Sequence, residues 1–478
     1  MRVSDSDFDV VVIGAGAAGL AAALSAVEQG CERVLISEAT GVVGGSSRLA
    51  GGVVMGSGSE LQRKAGVEDD PSDLFKEYMS LNHWDVAAGP VKRLTARSGE
   101  TIDWLSERGV TFFDRLIFGG DERKPRSHCV DGGGQALVNA LWSACQRAGV
   151  DVALGHRVDQ LLTDGDRVTG VIAEGETITA DAVVIATGGF GANPDLLQKY
   201  FPSSWTTDWT WYIGADGSRG DAIGFAEQLG AQLTGFDRGL RTLDPHFAKL
   251  NEAFLPGWTV LLDASGRRFC DETAPYGILD TLVRARGNRA FVVFDDAALR
   301  PPADQADRYR DCYKQVWPNH PPFRPKNYTA DLVDENVATG KAKAASDLPA
   351  LAEAIGVPVE TLEGEVARYN ALAIEGEDTD FGKAGKFLLP LSTPPFYAVE
   401  VRPATVNVTS CGLRIDQKAR VLRQDGAAID GLYAAGECTG GILGETYMGS
   451  GNSLANACGF GRIAGEEAAH KAKSGAAS

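Results

Sequence analysis

The sequence has no pair of cysteines at a metal-binding or haem-binding spacing. It contains neither C-x-x-C nor C-x-x-C-H nor a cluster-binding run. The eight cysteines are scattered, which predicts buried, reduced thiols of the kind found in cytoplasmic proteins. They are Cys31, Cys129, Cys145, Cys270, Cys312, Cys411, Cys438 and Cys458.

Histidines are few, and none has H-x-x-x-H or cysteine-paired spacing. We therefore expect no metal site and interpret each histidine as a surface or hydrogen-bonded residue. The six histidines are His83, His128, His156, His246, His320 and His470.

Long apolar runs are also missing. No stretch reaches the roughly 18 residues of a membrane helix, and a polar start leads directly into a strand without a secretory h-region. The formal charge of -18 argues against nucleic acid or an anionic membrane surface as a partner, because both require clustered Lys and Arg. The sequence predicts a soluble, cytoplasmic protein.

Glycine is abundant, with 58 residues, and the first glycine-rich stretch has a nucleotide-binding pattern. In "FDVVVIGAGAAGLAAALSAVEQG", Gly14-x-Gly16-x-x-Gly19 stands between a buried strand and an alanine-rich helix. The next strand, "RVLISE", ends at Glu38, at the spacing where an acidic residue takes the ribose hydroxyls. The glycines allow close backbone approach, and the helix N-terminus faces the pyrophosphate. A bound dinucleotide, NAD or FAD, is predicted.

Three further glycine-rich segments distinguish the two cofactors. They are "GVVGGSSRLAGG" from Gly41, "ADAVVIATGGFGAN" (180–193) and "IDGLYAAGECTGG" (429–441). Together they resemble the ATGG and GLYAAGE signatures of the fumarate reductase and succinate dehydrogenase flavoprotein superfamily, across nearly the whole chain. The resemblance implies FAD. The residues it implies for FAD binding are Gly14, Gly16, Ala17, Ala18, Gly19, Glu38, Ala39, Gly45, Ser46, Ser47, Gly51, Gly52, Val158, Ala186, Thr187, Gly188, Gly436, Glu437, Ser453 and Leu454.

In membrane-bound members of that superfamily a histidine in the loop near Ser46 and Ser47 holds the flavin covalently. This sequence has no histidine there, so we expect FAD to be bound non-covalently.

The domain organisation follows from a change in composition along the chain. Residues 1–237 and 405–478 contain the glycine-rich segments of a nucleotide-binding domain, whereas residues 238–404 are rich in Asp, Pro and Lys. The predicted fold class is α/β, with a Rossmann-like FAD-binding domain into which an α+β capping, catalytic domain is inserted.

The residues expected to bind a dicarboxylate are missing. In the soluble fumarate reductases the segment that resembles "GRRFCDETAPYG" presents an arginine, the proton donor, where this chain has Tyr276. The expected histidine pair is Asn407-Val408, and the arginine of the last glycine-rich loop has no counterpart in "YMGSGNSL". Fumarate or succinate would find few charged partners.

Two distant segments resemble the 3-ketosteroid Δ1-dehydrogenase branch of the superfamily instead. Its N-E-S-x-P-Y segment is similar to "DETAPY", which ends at Tyr276, and its Y-x-G-x-G loop is similar to "YMGSG", from Tyr447 to Gly451. The resemblance implies that Tyr276 is the base that takes the proton next to a ketone. It also implies that the Tyr447 hydroxyl and the Gly451 N–H bind the ketone oxygen.

The chemistry of such a site is consistent. The weakly acidic C–H needs donors for the developing enolate oxygen, each worth about 2.7 to 4 kcal/mol. A phenol of pKa about 10 also needs a helper to act as a base. Tyr212 and Tyr78 are candidate helpers. Arg126, His128 and Arg241 either orient a polar substrate tail or have solvated or FAD-side roles.

Three functions remain open at this stage. The first is an FAD-dependent desaturase of a 3-ketosteroid or a smaller cyclohexanone-type ring, and the second is an enoate or fumarate-like reductase that works in the opposite direction. The third is a flavin-binding subunit without chemistry of its own. The sequence has no second dinucleotide fingerprint, so the electron acceptor is a quinone, a flavoprotein or oxygen.

Overall fold

A computed structural model describes residues 6–120, 122–314, 318–319 and 325–475. Two compact units are present. The first unit comprises Met1–Ser203, Gly214–Leu240 and Asn407–Ser478, and the second comprises Ser204–Ile213 and Arg241–Val406. The α/β class with an additional capping domain is confirmed. The boundaries predicted from composition, 237/238 and 404/405, remain predictions.

The strands, in chain order, are β1 Phe8–Ile13, β2 Val34–Glu38, β3 Val53–Met55, β4 Phe112–Ile117, β5 Ser127–Val130, β6 Asp151–Leu154, β7 Val158–Asp164, β8 Arg167–Ala173, β9 Glu176–Ile185, β10 Trp211–Tyr212, β11 Leu233–Thr234, β12 Gly239–Asp244, β13 Val260–Leu262, β14 Ala290–Asp295, β15 Ala342–Ala345, β16 Phe396–Thr409, β17 Gly412–Leu413, β18 Arg420–Leu422 and β19 Ala428–Ala434.

The α-helices are α1 Ala17–Glu28, α2 Glu60–Lys64, α3 Pro71–Leu81, α4 Ala88–Ala96, α5 Ser98–Glu107, α6 Gly133–Arg147, α7 Pro194–Tyr200, α8 Asp221–Leu229, α9 Tyr276–Arg284, α10 Asp296–Leu299, α11 Ala306–Arg310, α12 Ala330–Ala338, α13 Leu348–Ile355, α14 Val359–Glu375 and α15 Asn452–Gly475. Short 3₁₀ turns lie at Gly45–Leu49, Pro202–Ser204, Gly385–Phe387 and Gly436–Cys438.

A twisted parallel sheet forms the centre of the first unit. Its parallel strands are ordered β6-β2-β1-β9-β19, with β18, β8 and β7 added by antiparallel pairing. The register pairs Val10 of β1 with Val34 on one side and Ala182 on the other. Because helices cover such a sheet on both faces, β1 carries a continuous apolar run from Val10 to Ile13, and its valines are fully buried. The carboxyl ends of these strands therefore lie along one edge.

Helix α1 follows β1 directly and packs on α15. Its residues from Ala17 to Ala26 are buried, and the small alanine side chains let the two helices approach closely. The helix starts at the glycine turn and ends where Gln29 and Gly30 close it with hydrogen bonds to Ser25 and Val27. The predicted strand, turn and helix are thus all present.

The second unit is built on a mostly antiparallel sheet. Strand β14 pairs antiparallel with β13 and β16, while β15 also pairs antiparallel with β16. Aromatic rings fill its core: Phe294 stacks on Tyr397 at 5.3 Å and meets Trp258 edge-on at 5.4 Å. The boundary between the units falls inside β12 and β16, so both strands contribute residues to each unit.

Among the helices of the described residues, none combines the length and apolar character of a bilayer span. In the same residues, His, Cys, Asp and Glu side chains form no group of three or more able to hold a metal ion. All eight cysteines are buried and free, as predicted, and burial raises the pKa of Cys438 and Cys458 to about 12.

Candidate active site

The segments predicted to bind FAD lie together at the carboxyl edge of the parallel sheet. Backbone hydrogen bonds join them: Gly14 N donates to Ser37 O at 2.8 Å, Ala186 N to Ile13 O at 2.8 Å and Ala435 N to Ile185 O at 2.9 Å. The ends of β1, β2, β9 and β19 are therefore fixed side by side. Ligands of doubly wound sheets bind at this edge.

The glycine turn fits a diphosphate. A Cβ added at Gly19 would lie 1.9 Å from Gly14 O, so only glycine permits this packing of turn against helix. Gly16, the residue before α1, is the N-cap of this helix and has no side chain that could cap it. The first N–H groups of α1 are thus available to an anion, apart from that of Ala17, which lies 3.3 Å from Ser47 Oγ.

Glu38 is buried at the end of β2 and bound to the glycine turn. Its carboxylate accepts from Ala15 N at 2.8 Å and from the Thr40 N–H and hydroxyl at 2.9 and 2.8 Å. These donors fix the carboxylate orientation beside the turn, where a ribose hydroxyl can use its remaining lone pairs. Ala39 lies between Glu38 and Thr40 in the chain.

The Gly/Ser loop forms a 3₁₀ turn over Gly45–Leu49. Ser46 Oγ accepts from Ala215 N at 3.0 Å and lies 3.2 Å from Ser218 Oγ. Gly52 O accepts from Val130 N at 2.8 Å, which joins the adjacent Gly51-Gly52 pair to β5. Ser218 is a contact that the sequence did not predict, because no local pattern relates it to Ser46.

Two buried polar side-chain atoms, one after β9 and one in α15, are suited to contact a cofactor. The hydroxyl of Thr187, next to Ala186 and Gly188, has no hydrogen-bond partner in the described part of the chain, and neither has Asn456 Oδ1. Asn456 was not predicted; its Nδ2 donates to Gly436 O at 3.3 Å. Buried hydroxyl and amide oxygens normally have partners, so both are suited to a polar cofactor atom.

Glu437, after Gly436, is held by a residue that sequence reasoning missed. Its Oε1 accepts from Thr409 N at 2.8 Å and from Thr409 Oγ1 at 2.9 Å. Burial raises the pKa of Glu437, against these two hydrogen bonds. Val158, at the start of β7, lines an open groove of about 640 Å³ together with Arg157 and Asp221.

Tyr276 belongs to the second unit and is the first residue of α9, where its side chain is 8 % exposed. Its ring meets Phe254 edge-on at 5.3 Å. Four residues later Asp280 pairs with Arg241 at 3.1 Å and with Arg284 at 3.4 Å, which anchors the helix. Arg241 therefore has a structural partner, which favours the alternative without a substrate role.

The turn before Tyr276 is fixed by a buried ion-pair network. Glu272 binds Arg268 through both oxygens at 2.9 and 3.0 Å, and Lys383 lies 3.0 Å from its Oε2. Arg268 also contacts Asp378 at 2.7 Å. The acidic pair of "DETAPY" is thus structural: Glu272 is fully buried, and Asp271 closes a turn by accepting from Thr273 N at 2.8 Å.

Tyr447 and Gly451 belong to the first unit, in the loop before α15. Ser453 N donates to the Tyr447 hydroxyl at 2.8 Å, and Ser453 Oγ lies 2.7 Å from the same oxygen. Burial raises the pKa of Tyr447, and the Ser453 hydrogen bonds oppose this. Ser453 and its neighbour Leu454 were predicted to contact FAD, and this stays a prediction; the Ser453 N–H donates to Tyr447.

Gly451 is held by close backbone contacts. Its φ is +100°, and an added Cβ would lie 2.7 Å from Met55 N, which donates to Gly451 O at 3.2 Å. Within the described residues the Gly451 N–H donates to no acceptor. A left-handed glycine with an available N–H, four residues after a hydrogen-bonded tyrosine, is suited to bind an oxyanion.

A buried carboxyl group that was not predicted lies beside this loop. Glu122 accepts from Gly119 N at 3.1 Å and from Gly120 N at 2.7 Å, and Ser450 N donates to Gly119 O at 3.0 Å. Burial raises the pKa of Glu122, against these hydrogen bonds. Gly119, Gly120 and Glu122 therefore support the Tyr447 loop.

The other polar candidates have internal partners. The Tyr78 hydroxyl donates to Ile442 O at 2.9 Å and accepts from Asn452 Nδ2 at 3.0 Å, while burial raises its pKa. Arg126 is fully buried between Asp69, at 2.7 and 2.8 Å, and Glu77. These contacts favour structural roles for Tyr78 and Arg126. Tyr212 lies half-buried in β10.

His128 is buried beside Arg126 and is neutral. Its Nδ1 donates to Arg126 O at 2.9 Å, so Nε2 accepts from Ser59 Oγ at 2.7 Å. Burial lowers the pKa of His128 to about 4. A substrate-orienting role is therefore not supported for His128.

Comparison with known proteins matches this architecture. Residues 9–454 match the model of a family described as "FAD binding domain". The chain belongs to the FAD binding domain family. It is accordingly an FAD-dependent oxidoreductase of the fumarate reductase superfamily, whose members act on CH–CH groups.

Relatives within the FAD binding domain family include both reductases and dehydrogenases. The chain is 30 % identical to a fumarate reductase (cytochrome) of Shewanella frigidimarina, over 97 % of this chain and 77 % of the relative. It is 28 % identical to a 3-oxosteroid 1-dehydrogenase of Mycobacterium tuberculosis, over 96 % of this chain and 97 % of the relative. These similar identities establish the superfamily and leave the branch open.

A solved structure is similar over the full length of both chains. The 3-ketosteroid-Δ4-(5α)-dehydrogenase from Rhodococcus jostii, in complex with 4-androstene-3,17-dione, has a TM-score of 0.77 and 27 % identity. The similarity covers 98 % of each chain.

Proposed function

We propose that this protein desaturates a cyclic ketone, either a 3-ketosteroid or a smaller 4-oxocyclohexane-type ring, at the bond next to the carbonyl. The observation that supports this best is the loop from Tyr447 to Gly451. There a phenol bound to Ser453 and an available Gly451 N–H lie at the start of α15. Such a donor pair suits a ketone oxygen that becomes an enolate.

In the proposed reaction, Tyr276 first loses its phenol proton, and the phenolate then removes a proton from the carbon next to the carbonyl. The electrons of that C–H bond move toward the carbonyl oxygen, where Tyr447 and Gly451 donate hydrogen bonds. The β-carbon then loses a hydride, and a C=C bond conjugated with the carbonyl forms. Tyr276 passes its proton to solvent through a helper residue that is still to be identified.

FAD, when bound, accepts this hydride. The chain's own contribution would be to hold FAD along the strand edge at Gly14, Ala186 and Ala435 and to bind the ketone. A quinone, a flavoprotein or oxygen then takes the electrons from reduced FAD.

A second candidate is a reductase that adds hydrogen to an enoate. It is favoured by the relatives, since a 29 % identical protein of Lactiplantibacillus plantarum is named vinyl phenol reductase and others are named fumarate reductases. It is disfavoured by Tyr276 in place of an arginine and by Asn407-Val408 in place of two histidines.

Anaerobic titration of the oxidised holoenzyme separates the two functions. We expect a saturated 3-ketosteroid or a 4-oxocyclohexane-type ketone to bleach the flavin, whereas the matching cyclic alcohol and succinate leave it oxidised. Product analysis should show an α,β-unsaturated ketone.

The reverse experiment starts from flavin reduced with dithionite. Rapid reoxidation by fumarate or a vinyl phenol, without bleaching by any ketone, would replace the desaturase with the reductase. No response to either class would identify a flavin-binding subunit without chemistry of its own.

A further inference from the structure

Ser453 makes two hydrogen-bond contacts to the Tyr447 hydroxyl oxygen. Ser453 N lies 2.8 Å from it, and Ser453 Oγ lies 2.7 Å from it. Ser453 is in the first turn of α15, where N–H groups have no acceptor within the helix. The phenol oxygen thus accepts a hydrogen bond at the positive end of a long helix.

In the contact between Ser453 Oγ and the Tyr447 hydroxyl, Ser453 is the preferred hydrogen-bond donor. Ser453 Oγ has no other hydrogen-bond partner in the described residues, so its proton is available to Tyr447. A phenol oxygen that accepts from both the N–H and the Oγ–H of Ser453 leaves its own proton to serve another acceptor. Hydrogen bonds in such a chain strengthen one another.

We propose that Ser453 is a positioning residue that makes Tyr447 a stronger and better-directed donor to the substrate carbonyl. As the carbonyl becomes an enolate, the phenol proton shifts toward it and negative charge develops on the phenol oxygen. The two donors of Ser453 stabilise that charge more than they stabilise the resting phenol. The proposal rests on the desaturase function and adds a residue to it.

Three substitutions test the role of the hydroxyl. Ser453→Ala removes Oγ and keeps the backbone N–H, Ser453→Thr retains a hydroxyl, and Ser453→Cys retains a weaker donor. Ser127→Ala is the matched control, because the Ser127 hydroxyl donates at 2.8 Å to Ser450 O in the same loop without contacting Tyr447.

We expect Ser453→Ala to lower kcat about tenfold, the effect of one hydrogen bond, with little change in KM. Ser453→Thr should recover most of the loss, Ser453→Cys should be intermediate, and Ser127→Ala should retain kcat. Equal kcat values for Ser453→Ala and Ser127→Ala would overturn the proposal, as would a loss that appears entirely in KM.

A binding experiment gives a readout independent of turnover. Substituted phenols of decreasing pKa mimic the planar enolate, and their binding to oxidised holoenzyme is followed by the shift in flavin absorbance. Affinity should rise with phenol acidity in the wild-type protein. Ser453→Ala should lower the affinity for the most acidic phenols about tenfold and that for the neutral saturated ketone much less.

Flavin reduction by ketones and binding of substituted phenols together distinguish a failure of this proposal from a failure of the proposed function. If no ketone reduces the wild-type flavin but Ser453→Ala still weakens binding of acidic phenols, the desaturase function is wrong and the positioning of Tyr447 stands. If ketones reduce the flavin but phenol affinity depends on phenol acidity in the same way in Ser453→Ala and in the wild-type protein, the positioning role is wrong.

Discussion

Tyr276, the proposed base, differs in its proton chemistry from the arginine expected at this position in the fumarate reductases. A guanidinium is always protonated and can only donate, whereas a phenol can donate and, once ionised, accept. Tyr276 is also rigidly placed, because it starts α9 and its ring contacts Phe254. Removing its hydroxyl therefore changes chemistry while leaving packing almost intact.

Tyr276→Phe should keep FAD and fold but lower kcat by about 10²- to 10⁴-fold, the range for a lost general base. Stopped-flow reduction of the flavin by ketone measures this directly. The control is Tyr309→Phe, a second buried tyrosine of the second unit, which should react at the wild-type rate. A near-normal kcat in Tyr276→Phe would assign Tyr276 an ordinary packing role.

Tyr447→Phe should lower kcat/KM by about 10² to 10³, as for one lost oxyanion donor, and largely through kcat. The donor acts more strongly on the enolate-like transition state than on the bound ketone. Steady-state kinetics with a saturated ketone test this, with Tyr433→Phe in β19 as the control. A loss confined to KM would show that Tyr447 only binds the ketone.

At the scale of elements, the turn before α9 depends on charge pairing. Glu272 and Lys383 are fully buried, as is most of Arg268. Neutralising Glu272 leaves both cations without their shared carboxylate, and removing one partner of a buried pair is far more costly than the net value of the pair.

Glu272→Gln should therefore lower the free energy of unfolding by about 3 to 5 kcal/mol. Denaturant unfolding of the holoenzyme measures it. Glu363→Gln, at an exposed position of α14, should stay within about 0.5 kcal/mol of wild type. A small change in Glu272→Gln would mean that solvent reaches this network.

Strand β5 adds a pH dependence through His128. The pKa of His128 is about 4 in the folded protein and about 6.5 in the unfolded chain, so below pH 6.5 only the unfolded chain gains the proton. The free energy of unfolding should therefore decrease by about 3 kcal/mol as the pH is lowered from 6.5 to 4. Unfolding of His128→Gln should show a flatter profile than that of the control His470→Gln, which replaces an exposed histidine.

Local patterns predicted the elements that carry the site, and long-range contacts could not be predicted. The strand, glycine turn and helix at Gly14–Glu28 follow from residue order alone, as does Glu38 at the end of β2. Thr409 binding to Glu437 and Ser218 near Ser46 depend on how distant segments pack, and Ser453 binding to Tyr447 depends on the conformation of an irregular loop. No local propensity encodes such pairings.

For the whole molecule, we predict that FAD is bound non-covalently, and denaturation tests this directly. The loop that contains Ser46 and Ser47 has no histidine, so heat or acid denaturation should release free FAD into the supernatant. Its fluorescence and chromatographic mobility identify it. Flavin that remains with the precipitated polypeptide would contradict non-covalent binding.

Strand β19 and helix α15 complete the first unit from the far end of the chain: β19 pairs with β9, and α15 packs on α1. During synthesis the ribosome must therefore deliver all of 241–406 before the segment that closes the FAD-binding edge emerges. Until then β9 has an unpaired edge and α1 an uncovered apolar face, which are hazards for aggregation. We therefore expect FAD to bind only after residues 407–478 have been translated.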